Sequence, residues 1–198
     1  MKIIAHRGNI HGPSASTENS IEAIDKCIRM GLDVEIDLWV INDEFFLGHD
    51  SPVYEISFRW LRDRLSNIWI HCKNLEAFNL LSNTAYEYKF FYHQNDDFTL
   101  TSSKHIWTYP KNEVASNSII VDADGTDDWE RIKNCYGVCT DYALVYVEKE
   151  LEKKYRDYVY NCACVEEHAI TYSEFKNQLA TKCEICIVHP TASCGCIK

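Results

Sequence analysis

Three carboxylates, Asp33, Glu35 and Asp37, interrupt an apolar, β-prone segment of this chain, GLDVEIDLWV at residues 31–40. Side chains two residues apart on a strand point to the same face, so Glu35 and Asp37 project together, and the apolar Val34, Ile36 and Leu38 project the other way. If that face is buried, the two carboxylates repel each other and resist desolvation, and a cation has to lie between them. The alternative is a strand of an antiparallel sheet with a polar, solvated face.

Several other residues suited to acid–base or phosphate chemistry follow or end apolar, β-type segments. They are His6 and Arg7, His49 in the stretch GHD (48–50), His71 with Lys73, and His93. His71 and Lys73 are two residues apart and share a face, by the same rule that pairs the two carboxylates. His71 is therefore placed to complete the shell of a cation, the alternative being that it only hydrogen-bonds a neighbour.

Eight short apolar segments predict strands, and segments of helical periodicity separate several of them. We expect strands at 2–6, 33–40, 67–72, 89–93, 97–102, 105–109, 118–123 and 137–142, and helices at 20–30, 57–66, 75–82, 126–135 and 143–158. Strands separated by helices favour a parallel sheet, and eight of them predict an α/β fold, a compact (β/α)8 TIM barrel. Because residues 89–123 leave little room for helices, the helices should be shortened or missing in the second half. The chemistry of such a barrel lies at the carboxyl ends of its strands.

Composition and charge exclude several classes of protein. The chain has 198 residues, of which 46% are hydrophobic, and a formal net charge of −10. These values fit one globular domain and argue against nonspecific binding to nucleic acid or to an anionic membrane surface. No apolar run has the length of a transmembrane segment, and the N-terminus, MKIIAHRG, has no signal-peptide pattern, so we expect a soluble, cytoplasmic protein.

The cysteines divide the chain into two parts. Six of the ten cysteines fall in the last 37 residues, so we expect a barrel domain at 1–158 and a Cys-rich C-terminal extension at 159–198. Four thiolates in the extension are enough for a structural Zn²⁺, with other nearby thiols and imidazoles as alternative ligands. The four are Cys183, Cys186, Cys194 and Cys196, and the alternatives are Cys162, Cys164, His168 and His189. Reduced thiols in a flexible extension, or reversible acylation, are the other interpretations.

The first fifty residues resemble the N-terminal signature of the glycerophosphodiester phosphodiesterases. The matching stretches, in the order of that signature, are IAHRGN (4–9), ENS (18–20), VEIDLWV (34–40) and LGHD (47–50). Weaker similarity follows: IHCK (70–73) falls where the family has a third acidic ligand and then a lysine, and GVCTDY (137–142) resembles the last strand. The sphingomyelinase D relatives use the same barrel with two histidines, so the resemblance indicates the reaction class better than the substrate.

The resemblance implies a role for each matching residue. It makes His6 and His49 the acid–base pair, Arg7 a phosphate contact, and Glu35 and Asp37 ligands of Mg²⁺ or Ca²⁺. Lys73 would contribute a point charge to the substrate. His93 and Trp107 are candidate pocket residues, and Glu18 and Asn19 are expected to orient the ligands or cap the helix that begins near Ser20.

One position departs from the family pattern. His71 stands where the family has a carboxylate, which leaves the site one negative charge short and should shift its preference toward Mn²⁺, Co²⁺ or Zn²⁺. The expected function is metal-dependent hydrolysis of a glycerophosphodiester or lysophospholipid-like substrate. The alternatives are a catalytically silent barrel that binds a phosphate or a lipid headgroup, and a sphingomyelinase D-like lyase that forms a cyclic phosphate.

Overall fold

The computed structural model describes residues 1–164 and 169–182. Ten strands and six helices lie in these residues. The strands are β1 (Lys2–His6), β2 (Asp33–Ile41), β3 (Glu44–Leu47), β4 (Tyr54–Ile56), β5 (Ile68–Cys72), β6 (Lys89–Phe91), β7 (Phe98–Leu100), β8 (Ile106–Thr108), β9 (Ser118–Val121) and β10 (Gly137–Thr140). The helices are α1 (Ile21–Arg29), α2 (Phe58–Arg62), α3 (Leu75–Asn83), α4 (Trp129–Ile132), α5 (Ala143–Cys164) and α6 (Tyr172–Lys182).

The strands form one mixed, curled sheet. Its order is β6–β5–β2–β1–β10–β9–β8–β7, in which neighbouring strands are parallel except for β7, which is antiparallel to β8. The hairpin β3–β4 branches from β2: the first residues of β2 pair with β1, and residues 38–41 pair with β3. β5 runs along the opposite edge of β2. The result is a half-barrel whose edge strands are β6 and β7, and no ladder joins these two strands within the described residues.

The predicted (β/α)8 TIM barrel is therefore wrong. No ladder joins β6 to β8 within residues 1–164 and 169–182, and the chain passes from β6 to β8 through β7 without a helix. β8 and β9 are also joined without a helix, while α2 and α4 span only 5 and 4 residues. The eight predicted strand positions are confirmed, but β3 and β4 were not predicted. The short connections are the physical reason, because a parallel crossover needs about a dozen residues to carry a helix.

β2 is buried on both faces. Val34, Ile36 and Leu38 are fully buried in the main apolar core. Glu35 and Asp37, on the opposite face, are only 2% and 1% exposed. The alternative of a solvated polar face is thereby excluded, and the buried carboxylates need partners of opposite charge.

Local sequence signals account for the helices next to β2. Ser20 caps α1, its hydroxyl accepting a hydrogen bond from the backbone N–H of Ala23 at 3.2 Å. Asn74 caps α3, its side-chain Oδ1 accepting a hydrogen bond from the backbone N–H of Ala77 at 3.0 Å. α1 buries Ile24 and Cys27, so it covers the apolar face of the sheet beside the start of β2.

The C-terminal helices pack on each other. α5 continues past residue 158 to Cys164, and Lys176 of α6 makes an ion pair with Glu148 of α5 at 2.8 Å. Within the described ranges, no helix combines the length and the apolarity that crossing a membrane requires. The predicted zinc ligands Cys183, Cys186, Cys194 and Cys196, with His168 and His189, lie outside the described residues. The tail zinc site therefore stays a prediction.

Candidate functional site

A small cavity lies on the inner side of the curled sheet, toward the carboxyl ends of the parallel strands. Its volume is about 120 Å³. Most of the predicted site residues line it, together with three that were not predicted. The lining residues are His6, Arg7, Glu35, His49, His71, Phe91, His93, Trp107, Tyr109 and Val121.

Parallel pairing brings the predicted metal ligands together. In the register of β1, β2 and β5, His6 pairs with Glu35, and Asp37 pairs with His71. One ligand atom from each of Glu35, Asp37 and His71 lies within 4.8 Å of the others. Two carboxylate oxygens and an imidazole nitrogen at this spacing suit a divalent cation of the first transition row as well as Mg²⁺.

Asp37 is the most closely surrounded carboxylate. Its Oδ2 accepts a hydrogen bond from the amide of Asn19 at 2.9 Å and lies 3.2 Å from Nε of Arg7. Its Oδ1 lies 3.0 Å from Nδ1 of His71 and 3.4 Å from Nζ of Lys73, but neither is directed at it as a hydrogen bond, so this buried oxygen has no hydrogen-bond donor. Burial acts to raise the pKa of Asp37, and the close basic groups of His71, Lys73 and Arg7 outweigh burial and lower it.

The pKa of Glu35 is shifted in the opposite direction to that of Asp37. Burial and the charge of Asp37 both raise its pKa, because a second carboxylate nearby disfavours ionisation. Its Oε2 accepts the backbone N–H of Arg7 at 3.2 Å and lies 3.9 Å from Nε2 of His6. A cation held between Glu35 and Asp37 would relieve this repulsion, which makes the pair a fitting cation site.

His6 has a buried partner that sequence reasoning missed. Its Nδ1 lies 2.9 Å from Oδ1 of Asp141, which also accepts a hydrogen bond from Nδ2 of Asn9 at 2.8 Å. Burial acts to lower the pKa of His6, but the hydrogen bond with Asp141 and the charge of Glu35 outweigh it and raise the pKa. The signal for Asp141 was its place directly after the predicted last strand, in GVCTDY.

His49 reaches the cavity from the loop between β3 and β4. The preceding Gly48 has φ of 146°, and a Cβ there would meet the carbonyl oxygen of Ser51 at 2.1 Å, so only glycine fits. The backbone of Gly48 is held at both ends, its N–H donating to the carbonyl of Asp37 at 3.2 Å and its carbonyl accepting from Nε1 of Trp39 at 2.7 Å. His49 is thereby tied to the strand that carries the carboxylates.

Arg7 is already engaged by carboxylates. Its backbone has φ of 53°, and that of Asn19 has φ of 59°, both in the left-handed region that side chains rarely adopt. The N–H of Asn19 donates to the carbonyl of Arg7 at 2.8 Å, and the guanidinium lies between Asp37 and Glu18, 3.4 Å from the latter. Glu18 and Asn19 thus hold the groups that line the cavity, and neither is itself a lining residue.

Stacked rings form an aromatic wall of the cavity. The ring of His71 stacks on Phe91 with centroids 5.0 Å apart, and Phe91 stacks on Trp107 at 4.5 Å. His93 stacks on Tyr109 at 4.0 Å. Burial and the nearby His71 lower the pKa of His93, which favours its neutral form. Tyr109 was not predicted, although it lies two residues beyond Trp107 and so on the same face of the chain.

No protein-family model matches this chain, and no match was found among curated proteins or solved structures. The resemblance to glycerophosphodiester phosphodiesterases therefore stays a prediction from the four stretches of residues 4–50. Whatever supports a function must come from the geometry of the cavity.

Proposed function

We propose that this protein hydrolyses a phosphodiester, of the glycerophosphodiester or lysophospholipid-like class, with His6 and His49 as the acid–base pair. The observation that carries the proposal is that both imidazoles line one small cavity beside two buried carboxylates. A phosphodiester is a stable anion, and its hydrolysis needs one group that removes a proton from the nucleophile and one that protonates the leaving oxygen. Histidine can do either near neutral pH.

The residues around Asp37 fit a divalent cation. Its Oδ1 is buried without a hydrogen-bond donor, and the nearby donor atoms of Glu35 and His71 complete a set of three. When bound, such a cation would neutralise phosphate charge and lower the pKa of a coordinated water. Mg²⁺ and Ca²⁺ are the expected ions for carboxylate ligands, whereas the imidazole of His71 favours Mn²⁺, Co²⁺ or Zn²⁺.

The chain's own groups would act as follows. One imidazole removes a proton from the attacking water as its oxygen bonds to phosphorus. The bond from phosphorus to the leaving oxygen breaks, and that oxygen takes a proton from the second imidazole, giving an alcohol and a phosphomonoester. Each histidine ends in the protonation state in which the other began, and exchange with solvent resets the pair.

The size and charge of the cavity constrain the substrate. A volume of about 120 Å³ is well below the roughly 300–1,000 Å³ of pockets that enclose a whole drug-sized ligand, so we expect the cavity to hold the phosphate group and not the whole substrate. An acyl chain would therefore lie outside the cavity. Arg7 and Lys73, which lie within 3.4 Å of Asp37, supply positive charge beside the phosphate position in a chain that is acidic overall.

Product analysis on a panel of glycerophosphodiesters and lysophospholipids, with added Mg²⁺, Mn²⁺ or EDTA, tests this function. We expect an alcohol and a phosphomonoester, loss of turnover in EDTA and recovery when metal is restored. A cyclic phosphate product would instead identify a lyase. Binding without turnover would identify a silent phosphate-binding protein, and full turnover in EDTA would rule out the metal.

A further inference from the structure

We infer that Asp141 is a positioning residue for His6, holding its imidazole as the Nδ1–H tautomer so that Nε2 faces the cavity. The inference rests on the proposed acid–base role of His6. A neutral imidazole carries one proton, and the nitrogen that hydrogen-bonds a carboxylate keeps that proton, since an ionised carboxylate only accepts. The nitrogen left free to take a proton is then Nε2.

The geometry at β1 and β10 supports this assignment. Nδ1 of His6 lies 2.9 Å from Oδ1 of Asp141, whereas Nε2 lies on the side of Glu35, 3.9 Å from Oε2. β1 and β10 are paired in parallel, with Ala5 opposite Thr140, so His6 and Asp141 leave neighbouring strands side by side. The contact therefore forms where the two central strands of the sheet end beside each other.

Asp141 is itself held in place. It is 5% exposed, its Oδ1 accepts from Nδ2 of Asn9 at 2.8 Å, and its backbone carbonyl accepts from the N–H of Gly12 at 2.8 Å. Asn9 is 4% exposed, and its amide nitrogen Nδ2 can donate a hydrogen bond to Asp141 but cannot accept one. A carboxylate fixed in this way retains a single orientation toward His6, as positioning of a catalytic ring requires.

His49 provides a matched comparison within the same cavity. Its Nδ1 also approaches a carboxylate, Oδ1 of Asp50 at 2.6 Å, but the side chain of Asp50 is 92% exposed. Water can replace an exposed partner of this kind, whereas nothing can replace the buried one. The same substitution at the two aspartates should therefore have very different consequences.

The experiment compares Asp141→Asn with Asp50→Asn, using turnover of the best phosphodiester and nitrogen-15 NMR of the histidine rings. We expect Asp141→Asn to lower kcat about 10²- to 10⁴-fold with KM changed less than about 3-fold, by analogy with the orienting aspartate of serine proteases. Asp50→Asn should change kcat less than about 5-fold. In the unaltered protein the NMR spectrum should show His6 protonated at Nδ1 when neutral.

Two outcomes would overturn the inference. One is a neutral His6 protonated at Nε2 in the unaltered protein, and the other is an Asp141→Asn variant that keeps kcat within about 3-fold. If Asp141→Asn fails to fold, Asn9→Ala tests the same network, with a loss of kcat expected and an unchanged kcat contradicting it. Because the tautomer is measured without substrate, a protein that turns over no phosphodiester would fail the proposed function while still deciding the tautomer.

Discussion

β2 carries a buried carboxylate near each end of its parallel-paired part, residues 33–38, and the two have different surroundings. Asp33 and Asp37 are each 1% exposed and lie on the same face of the strand. At the amino end, Oδ1 of Asp33 accepts a hydrogen bond from Nζ of Lys2 at 3.1 Å. Its Oδ2 accepts hydrogen bonds from Nε1 of Trp69 at 2.9 Å and from Nζ of Lys89 at 3.4 Å. Both oxygens of Asp33 therefore have hydrogen-bond donors.

The cluster around Asp37 is less complete although it is richer in basic groups. Arg7, His71 and Lys73 all lie within 3.4 Å of its carboxylate, yet Oδ1 has no hydrogen bond. This buried oxygen has ion-pair partners but no aligned hydrogen bond, so it remains able to accept a bond from a ligand. The comparison teaches that a buried carboxylate indicates function when its hydrogen bonding is incomplete beside a cavity, and structure when it is complete.

The largest expected effect comes from removing the imidazoles at the carboxyl end, which tests whether that end carries the chemistry. We expect His6→Ala and His49→Ala each to lower kcat roughly 10²-fold or more, because each deletes one proton-transfer group. Lys2→Met, at the amino end, should leave kcat unchanged. Steady-state kinetics on the three variants checks this, with thermal unfolding to confirm that each one folds. A histidine variant with near-normal kcat would remove that residue from the mechanism.

Matched substitutions of the two aspartates should separate stability from metal binding. Asp33→Asn leaves Lys2 and Lys89 without their buried partner, so it should lower the free energy of unfolding by about 3 kcal/mol and leave metal affinity unchanged. Asp37→Asn should weaken metal binding by about 10-fold or more, because it removes a proposed ligand. Urea unfolding and calorimetric titration with Mn²⁺ measure the two effects. Equal metal affinity in both variants would contradict the division between the two ends.

The smallest expected effect concerns which metal is preferred. His71→Glu restores the carboxylate of the family pattern and should move the preference toward Mg²⁺ or Ca²⁺ by about 10-fold relative to Mn²⁺, without abolishing turnover. His71→Ala should weaken the binding of Mn²⁺. Titration of each metal into each variant supplies the measurement. His71 is not a ligand if the unaltered protein already prefers Mg²⁺ and the alanine variant binds it equally well.

Some features of this protein follow from the sequence by itself. The two-residue period of a strand is a property of local backbone geometry, so the shared face of Glu35 and Asp37 could be predicted without a fold. The eight predicted strands and the caps of α1 and α3 are local in the same sense. The Gly-His-Asp stretch at residues 48–50 likewise indicated a loop at His49.

Only the tertiary structure decided how these pieces meet. The hydrogen bond between His6 and Asp141 joins residues 135 apart, and the hydrophobic pattern of a strand does not state which strands will lie beside it. For the same reason the pattern predicted a closed barrel, whereas the sheet is open and curled and contains an antiparallel β7 and a branching hairpin β3–β4. Strand pairing is set by competition among distant contacts, and it is this pairing that brings four histidines, Glu35 and several aromatic rings to one cavity.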